Sequence, residues 1–364
     1  MVRLVVSERA LIVDFGSQRR MATTAHLKGI VSSSKVAIYQ VSEADDLSSP
    51  ERFKSAVRSE LGLGPEDPVM LTAADIRRHA IAQEGEYGVV ATVGVREAAC
   101  PGMSHPYTPM RPSTINVVAW VPDNLTDQGL IDLLRTVAEA KAAAVADLML
   151  RCSGRATGTV SDAITVASNQ GEDGYLWAGL ATTIGGKVAA LTYKAITSVA
   201  RDEKELLAWV LGAGIKELKE DAVRLYRAAP VPGITDDTAI RLFESELEEL
   251  LSDPNVWAFL IAARELDIIG SSGLIPGLTR AEFEADSKRV IADELLATAL
   301  SIYINGFKGL TATYWADSMK ERLGLNASRL PMFEDDATAA LVASALSRVY
   351  DRLLRAKRDG RGSI

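Results

Sequence analysis

The hydrophobic pattern changes part-way along this chain of 364 residues. Up to about residue 125 the apolar runs are short and rich in β-branched residues, which is typical of strands. After residue 200 the apolar residues recur at helical spacing almost throughout. The sequence therefore predicts a mixed α/β (α+β) N-terminal domain followed by an all-α C-terminal domain.

The same patterns predict individual elements and domain limits. Strands are predicted over 11–15, 35–41, 68–71, 87–95 and 114–121. Helices are predicted from Thr126, as N-cap, to Leu150, and over 186–199, 203–227, 239–251, 256–266, 280–305 and 336–354. A Pro-Val-Pro-Gly run at 230–233 is typical of a linker, so the predicted division is 1–200, a connecting helix and linker over 201–231, and 232–364.

Charge and cysteine content limit the function classes. The net charge of −8 disfavours binding to nucleic acid or to an anionic membrane surface. No apolar stretch approaches the ~18 residues of a membrane helix, and the N-terminus does not resemble a signal peptide. Cys100 and Cys152 lack zinc-ribbon spacing, and two cysteines do not make a disulfide framework. We therefore expect a cytoplasmic protein.

Histidine is scarce, and its placement restricts the chemistry of the second half. The three histidines and both cysteines all precede residue 160. The second half must therefore use carboxylates, hydroxyls, lysines and arginines for any nucleophile, proton transfer or metal ligand.

The densest polar cluster of the first half is Arg-Ala-Thr-Gly-Thr-Val-Ser-Asp-Ala-Ile-Thr at 155–165. Gly158 lets the backbone approach a ligand, while Thr157, Thr159 and Asp162 supply hydroxyl and carboxylate oxygens. Such a turn suits an oxyanion hole or a general-base site. The structural alternative is a strand–turn–helix corner in which Thr159 and Asp162 cap a helix.

Three further polar residues lie in apolar surroundings. Glu139 and Lys141 are two residues apart in an alanine-rich helix, and therefore lie ~200° apart around its axis. One of the two is expected to face inward, although a solvated face is the simpler alternative. Asn116 is a polar residue within a predicted strand.

These residues belong to segments through which the first 200 or so residues resemble the adenosylcobinamide amidohydrolase family. The segments are 69–75 (VMLTAAD), 91–98 (ATVGVREA) with Pro101-Gly102, 114–116 (TIN), 138–141 (AEAK), 156–164 (ATGTVSDAI) and 178–185 (AGLATTIG). The resemblance implies hydrolysis of the amide that joins aminopropanol to the corrin ring, which releases adenosylcobyrate.

We accordingly assign trial roles for amide hydrolysis. Asp162 is the expected base, acting on a water or on Thr159, and Thr157 lies beside them. Backbone groups around Gly158 are the expected oxyanion donors, and Glu139 is the expected proton donor. Asn116, Gly158 and Lys141 are expected to contact the substrate. No cofactor is assigned to this domain.

Acidic residues dominate the second half. Asp293-Glu294 are predicted in the middle of a helix, Asp317 follows, and Asp335-Asp336 lie at a predicted helix start, where the helix dipole alone would favour them. Carboxylate oxygens suit Mg²⁺, which bridges to substrate phosphates. With Lys308 and Lys320, the five acids Asp293, Glu294, Asp317, Asp335 and Asp336 predict a Mg²⁺-dependent phosphate site.

Residues 235–354 resemble the soluble relatives of phosphatidylglycerophosphatase A, a group that includes the archaeal α-ribazole-5′-phosphate phosphatases. The resemblance lies in 291–296 (IADELL), 304–311 (INGFKGLT) and 332–343 (MFEDDATAALVA). It implies that α-ribazole 5′-phosphate is dephosphorylated.

The two resemblances together imply a bifunctional hydrolase of cobalamin salvage. Its expected partners are two small molecules, a corrinoid and α-ribazole phosphate, with no nucleic acid and no membrane span. Whether the protein is a homo-oligomer is left open. The alternatives are an inactive or lipid-phosphate-directed second domain, and a corrinoid-binding module without catalysis.

Overall fold

The computed structural model describes residues 2–95, 97–103, 114–170, 173–199, 203–287 and 289–358, with the backbone alone at 203–205. The chain divides into two compact units, Met1–Arg201 and Asp202–Ile364. Sequence analysis predicted a mixed first part and a helical second part, and the structure agrees with both.

The first unit is built on one large sheet. Its strands are β1 (Arg3–Val6), β2 (Ala10–Thr23), β3 (Ile30–Gln40), β4 (Val69–Thr72), β5 (His79–Glu84), β6 (Tyr87–Val93), β8 (Ile115–Asn124) and β10 (Ala163–Asn169). The strand order is β4-β3-β2-β10-β8-β6-β5, and β1 pairs with part of β2. The β3–β4 and β8–β10 pairs are parallel, whereas the other pairs of this sheet are antiparallel.

A two-stranded ribbon and three helices complete the described part of this unit. The ribbon pairs β7 (Ala98–Ala99) with β9 (Gly158–Thr159). The helices are α1 (Pro50–Glu60), α2 (Asp127–Asp147) and α3 (Thr183–Val199), and α2 packs on α3. The predicted cap of α2 is confirmed, since the Thr126 hydroxyl accepts a hydrogen bond from the Gly129 amide at 3.1 Å.

The sheet curls until distant strands meet. Three strands separate β4 from β8 in the strand order, yet the Asn116 side-chain amide on β8 donates to the Leu71 carbonyl on β4 at 3.1 Å. The core between them includes Met70, Val118 and Trp120, all at most 2% exposed. The curl therefore brings the end of β4 close to the start of β8.

Sequence analysis missed one strand that matters for function. Residues 155–165 were considered as a strand–turn–helix corner, but Asp162 is followed by β10 and not by a helix. The corner is therefore strand–turn–strand, and helix capping does not explain Thr159 and Asp162. β10 has the sequence Ala-Ile-Thr-Val-Ala-Ser-Asn, in which polar and small side chains are frequent. This composition did not indicate a strand, although the middle residues of β10 are buried.

The second unit is helical throughout its described residues. Its elements are α4 (Glu203–Leu211), α5 (Ile215–Ala228), α6 (Asp236–Leu251), α7 (Pro254–Ser271), α8 (Arg280–Glu284), α9 (Ala292–Leu323), a 3₁₀ turn (Ala327–Arg329) and α10 (Met332–Arg358). The most extensive packing joins α9 to α10. No helix in the described ranges combines the length and apolarity that crossing a bilayer requires.

The element α9 is a hairpin with two helical arms. Its backbone leaves helical geometry at Asn305 and Gly306, where Gly306 has a φ of +58°. The hydroxyls of Ser301 and Thr313 then lie 2.8 Å apart, although twelve residues of straight helix would span about 18 Å. The two arms therefore run back along each other.

Two predicted helices are in fact broken. The predicted helix 203–227 divides into α4 and α5 around Gly212, whose φ is +64°. The predicted helix 280–305 divides into α8 and α9, with Asp286 at a φ of +51° between them. The prediction that Asp293 and Glu294 lie mid-helix was therefore wrong, because both lie in the first turn of α9.

Candidate functional site

The turn between β9 and β10 centres on the Asp162 carboxylate. Oδ1 accepts from the Ile115 amide at 3.0 Å and from the Thr159 hydroxyl, and Oδ2 accepts from the Thr159 amide at 3.0 Å. Oδ2 also forms an ion pair with the Lys141 ammonium, whose Nζ donates in addition to the Thr157 carbonyl at 3.1 Å. Each carboxylate oxygen therefore already has two donors.

Gly158 makes room for this arrangement. A Cβ at this position would lie 2.3 Å from Asp162 Oδ2 and 2.4 Å from Lys141 Nζ. Both atoms end flexible side chains, so a methyl group here would displace the ammonium or the carboxylate, and glycine lets the two meet undisturbed. Lys141 reaches the turn from α2 and is 9% exposed, which makes it the inward-facing member of the Glu139–Lys141 pair.

Glu139 does not join this cluster. It is half-buried on α2 and forms an ion pair with Arg135, one turn earlier on the helix. Arg135 also binds Asp132, whose carboxylate accepts from the Ala178 amide at 2.8 Å. Among the described contacts, Glu139 pairs with Arg135 and not with the Asp162 turn, so its expected role as proton donor stays a prediction.

The remaining predicted residues lie around the turn. Thr157 is exposed, whereas Thr159 is 6% exposed. Asn116 is fully buried next to Ile115 and pairs in register with Ala163, the residue after Asp162. Sequence analysis missed the Ile115 amide as a donor to Asp162, and residue type carries no signal for a backbone contact.

A disulfide flanks the same turn. Cys100 directly follows β7 and Cys152 precedes β9, and the structure joins the two sulfurs. The Thr157 amide donates to the Ala99 carbonyl at 2.9 Å, so β7 lies directly against the segment that carries Thr159. Sequence analysis did not predict this bond, because a separation of 52 residues has no characteristic pattern.

In the second unit, three carboxylates converge at the open end of the α9 hairpin. Asp293, Glu294 and Asp336 each have an oxygen within 4.8 Å of the others. Asp293 is 4% exposed, and its Oδ1 has no hydrogen-bond partner in the structure. Burial raises the pKa of Asp293, and Glu294 beside it raises it further. These donors fit a hard divalent cation, which would supply the missing partner and offset the repulsion.

Lys320 organises the other two predicted ligands. Its ammonium lies 2.8 Å from Asp317, 2.6 Å from Asp335 and 3.4 Å from Asp336. Asp317 and Asp335 are therefore partners of Lys320 and lie outside the three-acid cluster. Burial raises the pKa of Asp335 to about 7 and that of Asp336 to about 6, although Lys320 opposes both shifts.

Lys308, the other predicted lysine, lies away from this cluster in the structure. It follows the hairpin turn and pairs with Asp351 on α10 at 2.5 Å. Twelve residues of helix separate it from Lys320, or about 18 Å along α9. It lines a groove of about 540 Å³ with Phe307, Trp315 and Tyr350.

Several solved structures resemble part of the chain. Protein ypjQ from Bacillus subtilis has a TM-score of 0.34 and 21% identity, and covers 42% of this chain and 93% of its own. The low temperature requirement C protein from Listeria monocytogenes has a TM-score of 0.33 and 23% identity, and covers 42% of this chain and 94% of its own.

Sequence comparison matches parts of the chain to known proteins. A curated protein of Halobacterium salinarum, described as adenosylcobinamide amidohydrolase, is 32% identical over 169 residues, which is 43% of this chain and 71% of the relative. An uncharacterized protein of Methanocaldococcus jannaschii is 33% identical over 102 residues, which is 28% of this chain and 77% of the relative. The family model described as adenosylcobinamide amidohydrolase matches residues 2–208. The chain therefore belongs to the adenosylcobinamide amidohydrolase family.

Proposed function

We propose that the first unit hydrolyses the amide of adenosylcobinamide and releases adenosylcobyrate and aminopropanol. Family membership and the description of the Halobacterium relative support the reaction. One structural observation carries the assignment of the site: the Asp162 carboxylate holds both the Thr159 hydroxyl and the Lys141 ammonium. Amide hydrolysis needs an activated nucleophile and a proton for the leaving amine, and this group contains both.

In the proposed mechanism, Thr159 Oγ1 attacks the amide carbon while Asp162 accepts the hydroxyl proton. Lys141 neutralises the oxyanion and gives a proton to the departing amine, taking one back from Asp162. Water then cleaves the acyl-threonine, and the net reaction consumes one water. Lys141 takes over the role that sequence analysis gave to Glu139. In a variant of this route, Asp162 activates water directly and Thr159 only orients it.

Substitution of Thr159 separates these two routes. Thr159→Ala should remove turnover of adenosylcobinamide if Thr159 is the nucleophile, and Thr159→Ser should keep a substantial part of it. Thr197→Ala is a matched control, since its hydroxyl donates within α3 to the Tyr193 carbonyl. Mass spectrometry of the products and thermal unfolding of each variant provide the measurements. Near-normal turnover in folded Thr159→Ala would eliminate the nucleophile route.

We also propose that the second unit is a Mg²⁺-dependent phosphomonoesterase that acts on α-ribazole 5′-phosphate. The supporting observation is the buried Asp293 Oδ1, which lacks a partner beside two further carboxylates. Asp293, Glu294 and Asp336 would hold the ion. When bound, Mg²⁺ neutralises phosphate charge and positions a water. Lys320 keeps Asp336 oriented, and the residue types available in this half suit this chemistry.

Phosphate release with and without chelator tests the second proposal. The substrates are α-ribazole 5′-phosphate and phosphatidylglycerophosphate. We expect Mg²⁺-dependent release from the ribazole ester, and its loss in Asp293→Asn. Preference for the lipid would point to the lipid-directed alternative, and no release from either would mean an inactive domain.

A further inference from the structure

Two polar residues face each other inside the curled sheet. Thr92 on β6 and Asn116 on β8 are direct partners in the antiparallel register, and both are completely buried. Their side chains share a face with Val90 and Val118, which lie in the core enclosed by the curl. Directly opposed residues of this kind have Cβ atoms about 5 Å apart. The pair therefore places two polar side chains side by side in the interior of the sheet.

Each of these residues has an oxygen without a partner. Neither Thr92 Oγ1 nor Asn116 Oδ1 forms a hydrogen bond, although both atoms are buried. The Asn116 Nδ2 atom donates to the Leu71 carbonyl at 3.1 Å, which fixes the amide orientation and leaves Oδ1 as an acceptor only. Buried polar atoms are normally paired, so two adjacent exceptions indicate a place that a ligand completes.

This pair adjoins the Asp162 cluster. The residue before Asn116 donates its backbone amide to Asp162, and Asn116 is the register partner of Ala163 on β10. Neighbouring strands lie about 4.8 Å apart, so Asn116 is one strand spacing from the start of β10 and Thr92 is two. Asn116 is therefore the member of the pair nearer to the Asp162 turn, and Thr92 lies one strand farther from it.

We infer that Thr92 and Asn116 form the subsite for the aminopropanol arm of the substrate. Asn116 Oδ1 accepts from the N–H of the amide that is cleaved, because an acceptor-only atom requires a donor. The Thr92 hydroxyl, which can donate and accept, pairs with the alcohol of the arm. This inference rests on the proposed amidohydrolase function. It adds a specificity for the amine that is released: the subsite distinguishes a hydroxylated amine from an unsubstituted one.

The test compares two substrates in the full-length protein. One is adenosylcobinamide, and the other is the same corrinoid with propylamine in place of aminopropanol, which lacks the alcohol. Thr92→Val keeps the shape of the side chain and removes only the hydroxyl. We expect it to lower kcat/KM for adenosylcobinamide by about 10-fold or more and to leave the propylamide unchanged. Its thermal stability should not fall, because the deleted hydroxyl has no partner.

Thr165→Val is the matched control. Thr165 is equally buried in the same sheet, but its hydroxyl lies 2.6 Å from that of Thr23. We expect Thr165→Val to lower thermal stability and to leave the preference between the two substrates unchanged. Equal losses on both substrates in Thr92→Val, or no loss, would overturn the inference. A lower stability of Thr92→Val without a change in preference would indicate a buried water and would also overturn it. A wild-type protein that cleaves neither substrate would instead refute the proposed function, and this subsite with it.

Discussion

The two units use carboxylates in opposite ways. In the first unit, both oxygens of Asp162 are satisfied by one ammonium, one hydroxyl and two backbone amides. In the second, Asp293, Glu294 and Asp336 converge while Asp293 Oδ1 lacks a partner. A carboxylate with all its partners is preorganised and needs no ion, whereas a like-charged cluster is relieved either by taking up a proton or by binding a cation. The same residue type therefore indicates different chemistry according to what surrounds it.

The largest expected effect concerns the satisfied carboxylate. Asp162→Asn presents an amide N–H₂ to groups that all donate, and it removes the proton acceptor. We expect amide hydrolysis to fall by about 10³-fold, within the range of general-base deletions. Asp147→Asn, whose carboxylate accepts only from Tyr193 among the described contacts, is the control and should retain activity. If folded Asp162→Asn turned over at near-normal rate, Asp162 could not be the base.

A smaller loss of amide hydrolysis should follow when Asp162 and Lys141 are displaced but keep all their atoms. Gly158→Ala adds a methyl that would lie 2.3 Å from Asp162 Oδ2 and 2.4 Å from Lys141 Nζ. Displacing reacting groups by about 1 Å costs on the order of 100-fold in rate. We therefore expect kcat to fall by about that factor. Gly179→Ala, where the nearest atom is 3.0 Å away on the flexible Arg135, is a milder control. Equal activity of the two variants would show that Gly158 does not position the pair.

The incomplete cluster should respond to metal in a measurement that is independent of catalysis. Magnesium at one hundred times its Kd should stabilise the protein by about 2.7 kcal/mol, because it binds the folded state. We expect the thermal midpoint of the second unit to rise with Mg²⁺ in wild type and to stay unchanged in Asp293→Asn. Asp253→Asn, at the N-cap of α7, should respond like wild type. A Mg²⁺-insensitive wild type would contradict the assignment.

Much of the fold followed from local patterns, and the exceptions have physical causes. Strands rich in β-branched residues, such as β3 and β8, were predicted close to their observed positions. β10 was missed because its burial comes from the strands on either side, and not from its own hydrophobicity. Helix breaks at Gly212 and Asp286 depend on positive φ values that periodicity does not report. The turn at Gly306 was hidden in the same way, within a run that remains apolar on both sides.

The site was predicted where its members are close in sequence. Thr159 and Asp162 are three residues apart, and their contact follows from one turn. Which of Glu139 and Lys141 faces inward depends on how α2 packs, and no local pattern decides it. Lys308 was grouped with Lys320, although twelve residues of helix separate the two on the second arm of α9. The role of Lys141 therefore depends on how α2 packs, and the position of Lys308 on the length of this arm.

Asp267 is a buried acid that, like Asp162, accepts hydrogen bonds from backbone amides, but its pKa is nevertheless raised. It accepts from the Phe333 and Glu334 amides at 2.9 and 2.8 Å, yet burial raises its pKa to about 7. Between pH 4 and 7 it is then protonated when folded and ionised when unfolded. Stability should fall as pH rises through this window, by about 1.4 kcal/mol per unit.

Chemical denaturation of wild type and Asp267→Asn across this range measures that slope. The variant should lack the Asp267 contribution, so the free energy of unfolding of wild type relative to the variant should fall steadily from pH 4 to 7 and level off above 7. Arg264 on the same helix and Glu334 on α10 are the charged groups that face Asp267. Parallel curves would mean that Arg264 and the two amides keep the carboxylate ionised in the folded protein.

The smallest expected effect tests whether the cation site is confined to the open end of the α9 hairpin. Lys308 lies near the turn, about 18 Å along the helix from Lys320, and its ammonium is neutralised by Asp351 on the surface. Exposed pairs of this kind contribute less than about 1 kcal/mol to stability. Lys308→Met should therefore change phosphate release less than twofold. Lys320→Met removes the ammonium that contacts Asp317, Asp335 and Asp336, and should reduce phosphate release far more. Equal losses would place Lys308 at the substrate and would mean that the site extends along the arm of α9 from Lys320 to the turn.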